Sequence, residues 1–340
     1  MTDEASASWL RDGEKYALLG LSLKSDQAGF AAEQISPELS VLTQSSFKMP
    51  SHWREWLGSI RAEEVEDCDL FILTKLQSKH PGVLDSENQE LLARVWNFYR
   101  GLLLTSRFVT AHTPVLLTGS REDDEVGVRQ TQDLESPAVC LFRGYPEVAQ
   151  SDLRQAALVG EQLGRIGATA KGDSFWRLFR VLHLYVATRP EHDMLHRLHQ
   201  YARCVDGLIM SRPGQGASDF KNRSELFIGA GHTDVMGEIY RDRSAVEHLH
   251  EDRLLDPFDR PKRLELVRKE AIIEYIARAV LRRIVLNENL WPHFADRTGL
   301  EAFWAQEPEP RGTIWGDPIN PLDALVEFDP KYIQDGDLGA

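Results

Sequence analysis

The stretch 151–167, SDLRQAALVGEQLGRIG, decides the fold, because from Ser151 onward the sequence changes from short apolar runs to long amphipathic repeats. Two further stretches of the same texture follow, DSFWRLFRVLHLYVATR (173–189) and EHDMLHRLHQYARCVDGLI (191–209), and all three read as helices. Asp152 and Asp173 stand where an N-cap carboxylate accepts from the first free backbone amides. SRPGQGASD then breaks the pattern with Pro213, Gly214 and Gly216. Beyond it come a helix carrying RDRSAVEH and a long one from about Pro261 to Asn287, with Leu264, Val267, Ile273, Ile276, Val280 and Ile284 as its apolar stripe. The expected result is a helical bundle with RDRSAVEH held among buried helices.

Upstream of Ser151 the reading is different. YALLGLSL (16–23), LSVLT (39–43), DLFILTKL (69–76), TPVLLTG (113–119) and AVCLF (138–142) are bounded by turn formers and read as strands. Between them, Leu91, Leu92, Val95, Trp96, Tyr99 and Leu103 recur at helical spacing. The polar GSREDDEVGVRQTQDLES reads as an exposed connection. Residues after about 305 are rich in Pro, Gly and acid and read as a tail, with Trp315, Leu325, Phe328 and Tyr332 as candidate staples. The fold class is therefore α+β: a mixed domain at 1–150, which suits a sensor or specificity role, an all-α bundle at 151–305, and an acidic tail at 306–340.

The bulk composition fits this division. A chain of 340 residues favours two units over one. MTDEASASWLRDGEK has no apolar stretch behind a basic flank, and no run reaches the roughly 20 apolar residues of a membrane span, so a cytoplasmic location without membrane contact is expected. Cys68, Cys140 and Cys204 are widely spaced with no CxxC pair, and are expected as reduced, mostly buried thiols. A net charge of −14 disfavours broad capture of nucleic acid, so any RNA contact must be local, in a small cationic cleft.

GEIYRDRSAVEHLHE (237–251) carries the chemistry. A guanidinium that clamps a phosphate and an imidazole that moves a proton near neutral pH suffice for attack of a ribose 2′-hydroxyl on its own phosphodiester, without metal or cofactor. Arg243 and His248 lie about 140° apart around a helix, within the reach of an arginine. Arg241, Ser244 and His248 share one face, so two arginines can converge on one phosphate with Ser244 as an auxiliary group. The ordinary alternative is a solvated helix in which Arg243 pairs with Glu247 at i+4.

The order of these segments, with Tyr240, Arg243, Ser244 and His248 in register, resembles the HEPN superfamily and its Apea-like branch over roughly residues 170–290. The branch usually has Gly after the His, where this chain has Leu249 and His250. The resemblance implies a bundle of roughly four or five helices that forms a homodimer with two copies of the motif face to face. It also implies an endoribonuclease that leaves 2′,3′-cyclic phosphate and 5′-hydroxyl ends, of the kind found in antiviral defence and toxin systems that wait for a trigger. His248 would move the proton, Arg243 would stabilise phosphate charge, Ser244 would orient the arginine or a water, and Asp206 would hold an arginine in place. A noncatalytic HEPN-like dimerisation and ligand-binding scaffold is the competing reading.

His192, His196 and His199, at i, i+4 and i+7, offer a second constellation. On one helical face they can ligate zinc, with Glu191 or Asp193 adding a carboxylate, although no HExxH pattern is present. RPGQG (212–216) and GAGHTD (229–234) lack the Lys and Ser/Thr of a phosphate loop and read as turns or caps. The tryptophans, Trp53, Trp56, Trp96, Trp176, Trp291 and Trp304 among them, are expected mostly in the core.

Overall fold

Every residue of Glu14–Leu21 (β1) is buried, because this strand is central in its sheet and covered on both faces. The computed structural model describes residues 8–138, 146–255, 257–326 and 328–338. These form two units, one made of residues up to 137 together with 146–165, the other running from 166 onward. The chain is α+β, and the expected strand at 138–142 and Cys140 lie largely outside the described residues.

In the first unit β1 is joined by Glu33–Gln34 (β2), Ser40–Thr43 (β3), Leu70–Gln77 (β4), Val115–Glu122 (β5) and Glu125–Asp133 (β6). The order is β2-β3-β4-β1-β5-β6, with each neighbouring pair antiparallel. Leu18 lies opposite Leu73 on one side and Leu117 on the other. These residues, with Tyr16 and Phe71, pack on Trp53 and Val65 of the helix Trp53–Glu66 (α1). Side chains alternate along a strand, which sends Ala17 and Leu19 to the opposite face. There the helix Ser86–Thr105 (α2) lies on β1, β4 and β5 and buries Leu91, Val95, Phe98 and Leu102.

Two expectations are corrected in this unit. GSREDDEVGVRQTQDLES is not a loose connection: it forms the end of β5, a two-residue turn at Asp123 and Asp124, and β6. Only Val126 and Gly127 of β6 are buried, so this edge strand has the polar face that discourages pairing with other chains and hides its strand periodicity. The helix Gln150–Thr169 (α3), expected in the bundle, belongs through Arg165 to the first unit. A Cβ on Gly101 would sit 2.1 Å from the Ala156 carbonyl oxygen, and one on Gly160 2.8 Å from the backbone of Asn97. The glycines thus let α2 and α3 meet backbone to backbone, a contact that helical periodicity does not reveal.

The second unit is helical: Trp176–Thr188 (α4), Met194–Ile209 (α5), Gly216–Ile228 (α6), Thr233–Glu247 (α7), Asp252–Leu255 (α8), Arg260–Leu286 (α9), Trp291–Phe294 (α10), Arg297–Ala305 (α11) and Pro308–Trp315 (α12). α5 is the hub, packed on α4, α6, α7 and α9. Val267, Ile273, Ile276, Val280 and Ile284 of α9 are buried as the stripe requires. Asp152 is not the N-cap: it is the third residue of α3, and its Oδ2 accepts from the amide of Ala149, just ahead of the helix, at 2.9 Å. Asp173 is no cap, because α4 starts at Trp176 behind Phe175, which has a left-handed backbone and makes no side-chain cap.

The segment after 305 is not a detached tail. Trp315 is buried, its ring 4.6 Å from that of Phe227. Ile333 and Leu338 are buried beside Leu266 and Val267 of α9, with Leu325 and Phe328 partly buried in the same cluster. Tyr332 stays exposed. The anchoring residues sit in short turns and 3-10 elements, so their burial follows no helical or strand period. Cys68 and Cys204 are free and buried, and burial pushes the Cys68 thiol up to about 12. Trp53 and Trp304 are core residues, whereas Trp56 and Trp176 are exposed. No helix among the described residues is long and apolar enough to cross a membrane.

Candidate functional site

α7 divides the motif between two faces. Asp242 points inward and accepts from Lys269 Nζ of α9 at 2.9 Å, which fixes the rotation of the helix. Arg243 then lies against α5, its Nη2 3.7 Å from Asp206 and 3.2 Å from Glu247. Its guanidinium also sits over the Tyr240 ring at 5.4 Å, and that ring packs on Phe220 of α6. Arg241 is 71% exposed and stands apart from this cluster. The two arginines therefore do not converge, because a two-residue step turns a helix by about 200°.

His248 is the C-cap of α7 and is exposed, with φ −100° and ψ 13°. Its amide donates to the Ser244 carbonyl at 3.2 Å. Leu249 follows at φ +57°, its amide donating to Val246 O, while the His250 amide donates to Ala245 O. This pair of bonds is a Schellman ending, in which glycine normally takes the left-handed position. The helix closes without glycine, and Leu249 is left 81% exposed. A left-handed L-residue costs roughly 1–2 kcal/mol, so Leu249→Gly is expected to stabilise the second unit by about 1 kcal/mol in urea unfolding. An unchanged or lower midpoint would contradict the strain.

The histidine trio does not assemble. Asp193 is the N-cap of α5, so His192 lies outside the helix and cannot share a face with His196 and His199. Among the described residues no three His, Cys, Asp or Glu side chains are grouped to hold a metal ion. His199 instead joins the Arg243 cluster. It is 12% exposed, its Nε2 is 4.0 Å from Glu247, and that nitrogen has no hydrogen-bond partner. Burial, and then the charge of Arg243, lower its pKa, which keeps the imidazole neutral at pH 7. Asp206, Arg243, Glu247 and His199 form one chain of charged and polar groups between α5 and α7.

Beside this chain lies a cleft of about 830 Å³ whose lining includes Arg177, Arg203, Arg212, Arg223, Arg243 and Arg297, with Asp206 and Glu301 as its acids. Sequence reasoning missed five of these arginines. Arg203 alone carried a usable signal, standing three residues before Asp206 on the same helix. His248 does not line the cleft, and Arg243 is the residue that connects it to α7. Comparison of the chain with family models, curated proteins and solved structures gives no match.

Proposed function

We propose that the second unit is a HEPN-like bundle and that the protein is a metal-independent endoribonuclease, working as a homodimer in which two α7 ends face each other. The observation that carries this reading is an arginine-lined cleft in a chain of net charge −14, with Arg243 in its wall and His248 five residues further along. Arg243 donates to the phosphate undergoing attack and stabilises the charge that develops there. His248, exposed at the helix end, takes the 2′-hydroxyl proton or protonates the leaving 5′-oxygen. Asp206 and Glu247 hold Arg243 in place between turnovers. The products carry 2′,3′-cyclic phosphate and 5′-hydroxyl ends.

One observation favours the scaffold reading: Arg243 is already countered by Asp206 and Glu247, as in a purely structural ion pair. An RNA oligonucleotide with a single 2′-deoxy residue at the mapped cleavage position separates the two. The nuclease reading expects cleavage there to stop while other positions are still cut. Cleavage that persists at the deoxy position would rule out 2′-hydroxyl attack.

A further inference from the structure

We propose that the arginine cleft beside Arg243 grips the phosphates of single-stranded RNA flanking the one cleaved, an inference that rests on the nuclease reading and extends its substrate contacts. Among the described residues Arg177 and Arg203 form no ion pair, so their charges are available to a ligand. Arg203 is steadied by Gln200 Oε1 at 3.0 Å.

Two other arginines are fixed in advance. Asp219, buried at 2% exposure, takes Arg212 in a fork, with Nε to Oδ2 at 2.9 Å and Nη2 to Oδ1 at 2.6 Å, and also accepts the Arg212 amide at 2.8 Å. Arg212 holds that carboxyl down to about 2. Arg223 Nη1 donates to the carbonyls of Ile209 and Met210 at 3.0 and 2.9 Å, and its guanidinium lies 5.2 Å from the Trp304 ring centre. A buried carboxylate spent on orienting an arginine whose side chain is 63% exposed shapes a binding wall more than it strengthens a core.

The cations come from α4, α5, the α5–α6 turn, α6, α7 and α11, so they surround a volume instead of forming a stripe. A volume of about 830 Å³ exceeds what one phosphate needs and suits a short run of nucleotides. Several separate guanidinium groups match the repeated phosphates of a strand.

The test uses the full chain carrying His248→Ala, so that RNA is not consumed, with a labelled ten-nucleotide single-stranded RNA titrated at several salt concentrations. Adding Arg177→Ala and Arg203→Ala removes two phosphate contacts. The plot of log affinity against log salt is then expected to become shallower by about 1.4, since each contact on a single strand contributes roughly 0.7. Unchanged affinity and slope, with an unchanged unfolding midpoint, would overturn the proposal. A mononucleotide that binds the His248→Ala chain as tightly as the ten-nucleotide strand would also overturn it, in favour of a small phosphorylated ligand. The two readings fail separately. An arginine-dependent slope without any cleavage by the unmutated chain removes the nuclease and keeps the cleft as an RNA site. Cleavage with an unchanged slope does the reverse.

Discussion

His248→Ala is expected to slow RNA cleavage by about 10²–10⁴-fold, the range for loss of a positioned acid or base, while leaving the unfolding midpoint almost unchanged. The separation follows from where the residue stands. Its side chain is exposed, and the bonds that close α7 come from the backbone of Ser244, Ala245 and Val246, which alanine preserves. Surface changes of this kind usually stay within about 0.5 kcal/mol. Arg243→Ala would be a poorer probe, because it leaves Asp206 and Glu247 facing each other without their cation. Single-turnover cleavage beside urea unfolding reads both quantities. An equal loss of rate and stability would mean that His248 acts through the fold.

Glu274→Ala is expected to destabilise the second unit by about 3–5 kcal/mol, the cost of leaving a buried charge without its partner. Glu274 Oε1 accepts from Tyr185 Oη at 2.8 Å, Arg189 Nη1 at 3.0 Å and Arg278 Nε at 3.0 Å. Arg189 and Glu274 are both buried, so water does not replace the lost oxygen. Arg197–Glu270 and Lys269–Asp242 repeat the pattern, and α9 contributes one member to each pair. These pairs fix the rotation of α9 against its neighbours. Urea unfolding monitored through the helical signal checks the prediction, and a loss below about 1 kcal/mol would show that water reaches Arg189.

Much of this architecture is legible in the sequence. α2, α5 and α9 follow from apolar periodicity, and the strands around β1 from short runs between turn formers. The unread parts have specific causes. β6 has a single buried aliphatic side chain, Val126, so it gives no alternating signal. α3 has the periodicity of a bundle helix, but Gly101 and Gly160 decide which unit it joins, through a contact between distant residues.

The site was legible in part. The Arg243–Glu247 pair follows from i+4 spacing, whereas nothing in the spacing brings Asp206 of α5 to within 3.7 Å of Arg243. His192 does not join His196 and His199 because the helical spacing stops at the Asp193 cap, one residue after it. The arginine cleft was unreadable beyond the expectation of a local cationic site, since its residues run from 177 to 297 and meet only through packing.

Metal-independent cleavage through His248 is read most directly by incubating the unmutated and His248→Ala proteins with total RNA in EDTA and mapping the new ends. Cuts made by the unmutated protein alone are expected, with 5′-hydroxyl and 2′,3′-cyclic phosphate ends. Cuts by both proteins, or ends bearing a 5′-phosphate, would contradict this mechanism.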